Sequence, residues 1–241
     1  VTKWSKFHTA WQGVSIDATL DVRLGNATQS GKYVTVQSYG DNQVVAGRDV
    51  LLRSADVSGA GFGYNQINVS GDGSSAIRVD AGRNVDMGTS GSVRGYHVQS
   101  LSVSAGNSIR GDGNFLTNGS VSAPDGSAGA IDLRAGTGSA RFQLIQSSGT
   151  YSGFTAGSVT VTARTGITGG DIQANGTSGS YSVGGGAGGM VYLSASAGGV
   201  SVNEVQANGG PHYGSSGSPA AAAGDGGAVF IHGKGNVSAG S

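Results

Sequence analysis

Along most of the chain apolar side chains recur two positions apart, in short runs that end on a small residue and a glycine. The clearest run is Gly157-Ser158-Val159-Thr160-Val161-Thr162-Ala163-Arg164-Thr165-Gly166-Ile167. Val159, Val161 and Ala163 alternate there with Thr, a glycine turn follows, and a second apolar step comes at Ile167 and Ile172. Period-two alternation predicts a strand with one buried face. The same order returns at Met190-Val191-Tyr192-Leu193-Ser194-Ala195-Ser196-Ala197-Gly198-Gly199-Val200, and Asp171-Ile172-Gln173-Ala174-Asn175-Gly176 is answered by Glu204-Val205-Gln206-Ala207-Asn208-Gly209. Shorter copies are Ile77-Arg78-Val79-Asp80-Ala81-Gly82, Leu101-Ser102-Val103-Ser104-Ala105-Gly106, Ile131-Asp132-Leu133-Arg134-Ala135-Gly136 and Val229-Phe230-Ile231-His232-Gly233.

The centres of these runs, Val79, Val103, Leu133, Val161, Leu193 and Ile231, are 24, 30, 28, 32 and 38 residues apart. A period of that size that drifts by insertion predicts stacked coils of chain with turns of unequal length. Further strands are predicted at Val14-Ser15-Ile16, 20–24, 33–36 and Val50-Leu51-Leu52, with Val, Ile, Leu and Ala inward and Thr, Ser, Arg and Asp outward. No window of ten residues carries helical periodicity, and Ala220 to Ala223 are enough for a single helical turn. With eight or nine coils rising ~4.8 Å each, the shaft is on the order of 40 Å long. Residues 1–13 carry both Trp residues and match no later segment; Trp4, Phe7 and Trp11 are expected to cap the coil or form an assembly interface, leaving 14–241 as the shaft.

Composition narrows the picture. Glycine accounts for 47 of 241 residues without a strict third-residue period, which excludes collagen. Formal net charge is zero and β-branched residues alternate, so a folded β-rich chain is favoured over a disordered one. The absence of cysteine removes disulfides, zinc ribbons and thiolate nucleophiles, leaving hydrogen-bonded coils to hold the chain together. The 14 basic residues form no cluster suited to nucleic acid, and no apolar run has membrane-spanning length, so neither partner is expected. The chain starts Val1-Thr2-Lys3-Trp4, which reads as a processed product or part of something longer.

Between strands the phrase Ala46-Gly47-Arg48-Asp49-Val50 is echoed by Ala81-Gly82-Arg83-Asn84-Val85 and, more loosely, by Ala105-Gly106-Asn107-Ser108-Ile109. In this phrase residues 30–241 resemble the repeat region of filamentous-haemagglutinin-like exoproteins, exported by two-partner secretion, and more distantly autotransporter passengers. The resemblance implies a right-handed parallel β-helix, export to the bacterial cell surface, and a shaft without catalysis. The family's secretion domain carries an Asn-Pro-Asn-Leu motif that this chain lacks, so that export route rests on analogy alone.

Candidate chemistry is sparse. Polysaccharide processing on a β-helix needs converging carboxylates and a basic residue, and the nearest sets are Asp72 with Arg78 and Asp80, and Asp132 with Arg134. Same-face spacing also suits solvated ion pairs between coils, and Glu204 is the sole glutamate, so no catalytic residue is assigned. Gly71-Asp72-Gly73, Gly111-Asp112-Gly113 and Gly224-Asp225-Gly226 are out of register with a calcium nonapeptide repeat and read as turns; no cofactor is expected, with loop-bound calcium the remote alternative. His8, His97, His212 and His232 lack metal-ligand spacing. Gly184 to Gly189 has no helix after it and reads as a flexible loop, not a nucleotide cradle. The swollen segments after residue 135 are expected to project from the coil or lie across its neighbour. Asn26, Asn68, Asn118, Asn175 and Asn236 stand in glycosylation sequons that matter only in a cell that glycosylates.

Arg110-Gly111-Asp112 spells an integrin-type tripeptide in a predicted turn. The reading that follows is a non-catalytic extracellular or cell-surface shaft displaying loops for adhesion or matrix formation, with a host receptor or surface glycan as partner. Its rivals are a self-assembling filament subunit joined end to end through residues 1–13 and the open C-terminal coil of the next copy, and a carbohydrate-binding or polysaccharide-processing β-helix. On the adhesion reading, Asp112→Glu should sharply reduce cell attachment to surfaces coated with the protein; unchanged attachment would remove the tripeptide from consideration.

Overall fold

Backbone hydrogen bonds run between strands about one coil apart in sequence, and every strand-to-strand pairing among the described residues is parallel. The structure is a computed structural model and describes residues 5–9, 13–24, 34–38, 41–52, 66–89, 91–118, 127–149, 153–180, 183–212 and 222–240. Trp4, Trp11 and the first half of the Ala220–Ala223 run lie outside them. In chain order the strands are β1 (Ser5–Thr9), β2 (Val14–Ala18), β3 (Val22–Leu24), β4 (Val34–Ser38), β5 (Asn42–Ala46), β6 (Asp49–Leu52) and β7 (Gln66–Ala81). There follow β8 (Asn84–Asp86), β9 (Ser92–Ala105), β10 (Ser108–Arg110), β11 (Asn114–Asn118), β12 (Ala130–Ala135) and β13 (Ser139–Ser148). The last are β14 (Val159–Ala163), β15 (Gly166–Gln173), β16 (Val191–Ala195), β17 (Gly199–Gln206), β18 (Val229–Gly233) and β19 (Val237–Gly240). No helix occurs among the described residues. This all-β stacking is that of a β-helix or solenoid.

Three stacks result. The first holds β2, β5, the second halves of β7 and β9, then β12, β14, β16 and β18. Its inward column reads Ile16, Val44, Val79, Val103, Leu133, Val161, Leu193 and Ile231 in unbroken register, so the six repeat centres legible in the sequence stand one above another. The second stack carries Val22, Val50, Val85, Ile109, Ala140, Ile167, Val200 and Val237. The third aligns Phe7, Val36, Ile67, Val93, Phe115, Ile145, Ile172 and Val205. The backbone of β1 therefore continues the third stack, and Phe7 falls in register with its column. The buried members of the three columns form one hydrophobic cluster.

The passage from first to second stack explains the recurring phrase letter by letter. Its small residue is the in-register column Ala18, Ala46, Ala81, Ala105, Ala135, Ala163 and Ala195. The glycine that follows donates to the alanine carbonyl one coil back: Gly82 to Ala46 at 2.9 Å, Gly106 to Ala81 at 2.9 Å. A Cβ on Gly82 would overlap the Gly47 carbonyl oxygen. The third and fourth letters form a polar ladder outside. Arg48 grips Asp21 through Nε at 2.7 Å and Nη2 at 2.6 Å, Arg83 grips Asp49 through Nε at 3.0 Å, Asn107 donates to Asn84 at 3.1 Å, and Thr137 donates to Asn107 at 3.2 Å. Hydrogen bonds from Arg48 and Arg83 hold the Asp21 and Asp49 carboxyls well below the usual carboxylate range, and the same bonds raise the arginine pKa values.

Several expectations are revised. Gly71-Asp72-Gly73 is no turn: it lies within β7, which crosses from third to first stack with a register shift between Ser70 and Ser75. Arg78 pairs with Asp80, and Arg134 with Asp132 at 2.6 Å, within single strands and not between coils; among the described residues the inter-coil pairs are those of Arg48, Arg83 and Arg141. The strand expected from Leu20 begins at Val22, leaving Leu20 exposed. Inward positions are not all apolar. Thr117 and Ser147 are fully buried and in register, and both donate to the Gly129 carbonyl, at 2.6 and 3.1 Å. Gly184 to Gly189 is backbone packed on backbone: Gly186 donates to Thr177 and Gly210 to Gly186, so a side chain on Gly186 would overlap the Phe154 carbonyl.

Link lengths are unequal in a regular way. From first to second stack every link is two or three residues, whereas from third to first the links after β11 run from 10 to 22 residues. Two outcomes are expected. Leu133→Ala should destabilise by about 3 kcal/mol through transfer and cavity terms, while Thr160→Ala on the same stack should stay within about 0.5 kcal/mol, read from urea midpoints. Because the folded-state pKa values of Asp21 and Asp49 are depressed, their stabilisation is complete above the unfolded carboxylate value of about 3.9 and falls away below it. The stability gap between the parent and the Asp21→Asn/Asp49→Asn variant should therefore be widest at neutral pH and narrow as the pH drops below about 4.

Candidate functional site

The Arg110-Gly111-Asp112 motif sits where the chain leaves the second stack for the third. Arg110 ends β10 and is exposed, in register with Asp86 one coil back. Gly111 has φ +95°, a left-handed conformation that side chains disfavour, and a Cβ there would also overlap the Gly88 carbonyl oxygen. The Asp112 N–H donates to that same carbonyl at 2.7 Å. Gly88 makes the equivalent bend one coil earlier, with φ +59° and its N–H donating to Asp86 Oδ1 at 3.0 Å. The two bends thus stack, and the motif is a rigid turn.

Asp112 does not face solvent alone. Arg141, outward on β13, donates to its Oδ1 from Nε at 3.0 Å and approaches it through Nη2 at 2.8 Å. Both side chains remain open to water, Arg141 59% exposed and Asp112 43%. The pair lines an open groove of about 370 Å³ shared by Thr89, Gln143, Thr168, Gly169, Gly170 and Phe142. The register explains the assembly. Ile109 pairs with Ala140, which sets Arg141 level with Arg110 and, through its own pairing, with Thr168; Asp112, two residues past Arg110 in the turn, meets the Arg141 side chain diagonally. Thr89 joins from the coil before. Phe142 is buried and pairs with Gly169, whose missing side chain leaves room for its ring. The groove is therefore a gap in the outer side-chain layer, opened by Gly169 and Gly170.

The remaining candidates are dispersed. Phe7 lies on β1, where the backbone alone is described. Asp132 is tied to Arg134, and Asp80 to Arg78. His212 Nδ1 lies 3.3 Å from the Val183 carbonyl oxygen, and His232 is exposed on β18. Among the described residues no three His, Asp or Glu gather as a metal-binding group. Tyr192 and Phe230 are exposed neighbours in register on the first stack, next to exposed Met190 and Val229.

Sequence reasoning singled out Asp112 but missed Arg141, Gln143 and Thr168. Laying Ile109 on Ala140 and then on Ile167 sets Arg141 between Arg110 and Thr168, but the weak Ala140 step hides that alignment, and the diagonal reach of Arg141 to Asp112 follows from no pairing of strands. No protein-family model matches the chain, and neither a curated protein nor a solved structure does. Gly111→Ala should lower stability by about 1–3 kcal/mol, since it forces a side chain into a left-handed turn against the coil below. Arg110→Ala, at the exposed strand end, should leave the urea midpoint nearly unmoved.

Proposed function

We propose that the chain is a shaft segment of an exported bacterial surface protein, a right-handed parallel β-helix that holds loops away from the cell for adhesion or matrix building and performs no catalysis itself. The observation that carries this reading is the unbroken register of the inward columns, eight positions deep in the first stack. Such a column gives axial stiffness, because each coil is bound to its neighbours along its length and buries their apolar floor. The outward carboxylates support it too: Asp21, Asp49, Asp80, Asp112 and Asp132 are each engaged by an arginine, which commits them to holding the surface together. The likeness of the Ala-Gly-Arg phrase to filamentous-haemagglutinin-like repeats points the same way. Length variation is confined to two of the three passages between stacks, as a display scaffold requires.

Two experiments test it. Deleting 131–158 removes one period, Leu133 to Val161, and keeps the register of what remains; the shortened protein should fold with a parallel-β circular dichroism spectrum and cooperative urea unfolding. Loss of β signal would overturn the coil. On intact producing cells, added protease should cut first in the longest link, residues 207–228 between β17 and β18. Protection on intact cells together with rapid cutting in lysate would overturn surface display.

A further inference from the structure

The groove beside the tripeptide turn has a chemistry of its own. Its walls offer a guanidinium, a carboxylate, an amide and two hydroxyls from Arg141, Asp112, Gln143, Thr89 and Thr168. The two charges neutralise each other, and both recorded contacts fall on Asp112 Oδ1, so carboxylate lone pairs and guanidinium N–H groups remain for a third party. What is left is a set of mixed donors and acceptors with no net charge, laid over backbone left bare by Gly169 and Gly170.

We infer that this groove binds a neutral oligosaccharide lying along the coil axis, a conclusion that takes its biological setting from the surface-display reading above. A ligand fitted to such walls must present many groups that each donate and accept, and must carry no charge that would compete for one half of the Arg141–Asp112 pair. Hydroxyl groups on a sugar chain do this. The lining is drawn from four successive coils, those of Thr89, Asp112, Arg141 and Thr168, three steps of ~4.8 Å or about 14 Å in all, longer than one sugar ring. The groove is open along one side, which admits a polymer where a small-molecule pocket would enclose its ligand. Arg110, the other charged member of the tripeptide, is not part of the wall. The lining side chains Arg141, Gln143 and Thr168 are exposed, so replacing them leaves the inward columns untouched.

The test uses the full chain and four soluble probes: hexasaccharides of glucose, mannose and galactose, and hexagalacturonate as the anionic counterpart, followed by saturation-transfer NMR and titration calorimetry. At least one neutral hexamer should bind saturably and more tightly than hexagalacturonate. Thr168→Val and Gln143→Ala should each weaken that binding at least fivefold with an unchanged urea midpoint, and Arg110→Gln should leave it as it was. Saturable binding by none of the neutral probes overturns the inference, as does preference for the uronate or an equal loss in Arg110→Gln, which would move the site onto the tripeptide turn. If the probes fail while the coil-deletion protein folds and loops are cut on intact cells, the groove assignment falls and the shaft stands. Saccharide binding by a protein that is shielded on intact cells removes surface display and leaves the groove.

Discussion

Everything in this molecule answers to the short, fixed distance between hydrogen-bonded parallel turns. Once each amide is bonded to the coil beneath, nothing thicker than a backbone fits between successive coils at a bend, and side chains must point inward or outward. At the passage from first to second stack this favours a small residue in coil after coil and, at Ala46, Ala81, Ala105 and Ala135, a glycine directly after it. The Ala18-to-Ala195 column and the bonds from Gly82 and Gly106 to the coil below are that preference met. The inward columns follow from it, because only a constant rise keeps Val161 directly over Leu133 and under Leu193.

The outer layer is organised by a different force. Where two coils carry opposite charges at one height, as at Arg48 and Asp21 or Arg141 and Asp112, the ion pair ties them from outside; where they do not, Asn107 and Thr137 continue the ladder with neutral hydrogen bonds. Toward the C-terminal end glycine takes over, and chain segments such as those at Gly186 and Gly210 pack backbone on backbone. The groove is the place where the outer layer thins.

Much of the coil was legible in the sequence because its inward columns are built from Val, Ile and Leu at period two, and because an alanine, often with a glycine after it, marks the first-to-second bend. The register of β10 on β13 was not, since Ala140 is a weak apolar step and the row it sets up joins residues about thirty apart. Thr117 and Ser147 misled for a related reason. Hydroxyls read as outward, yet the Gly129 carbonyl gives them a buried partner that no local pattern announces. The loose reading of Gly184–Gly189 failed because glycine signals flexibility only where nothing packs against it, and here neighbouring carbonyls do. Asp112 was found through its tripeptide, and its pairing with Arg141 could not be, because spacing within one motif says nothing of the coil above it.

The unequal links between stacks have a geometric consequence. Rise per coil is constant, yet the residues used per coil, followed down the first column from Ile16 to Ile231, are 28, 35, 24, 30, 28, 32 and 38. Mass per unit length therefore rises and falls from coil to coil instead of being uniform along the axis. Because the first-to-second passage never exceeds three residues, that side of each coil keeps one length of chain while the other two passages absorb all of the variation.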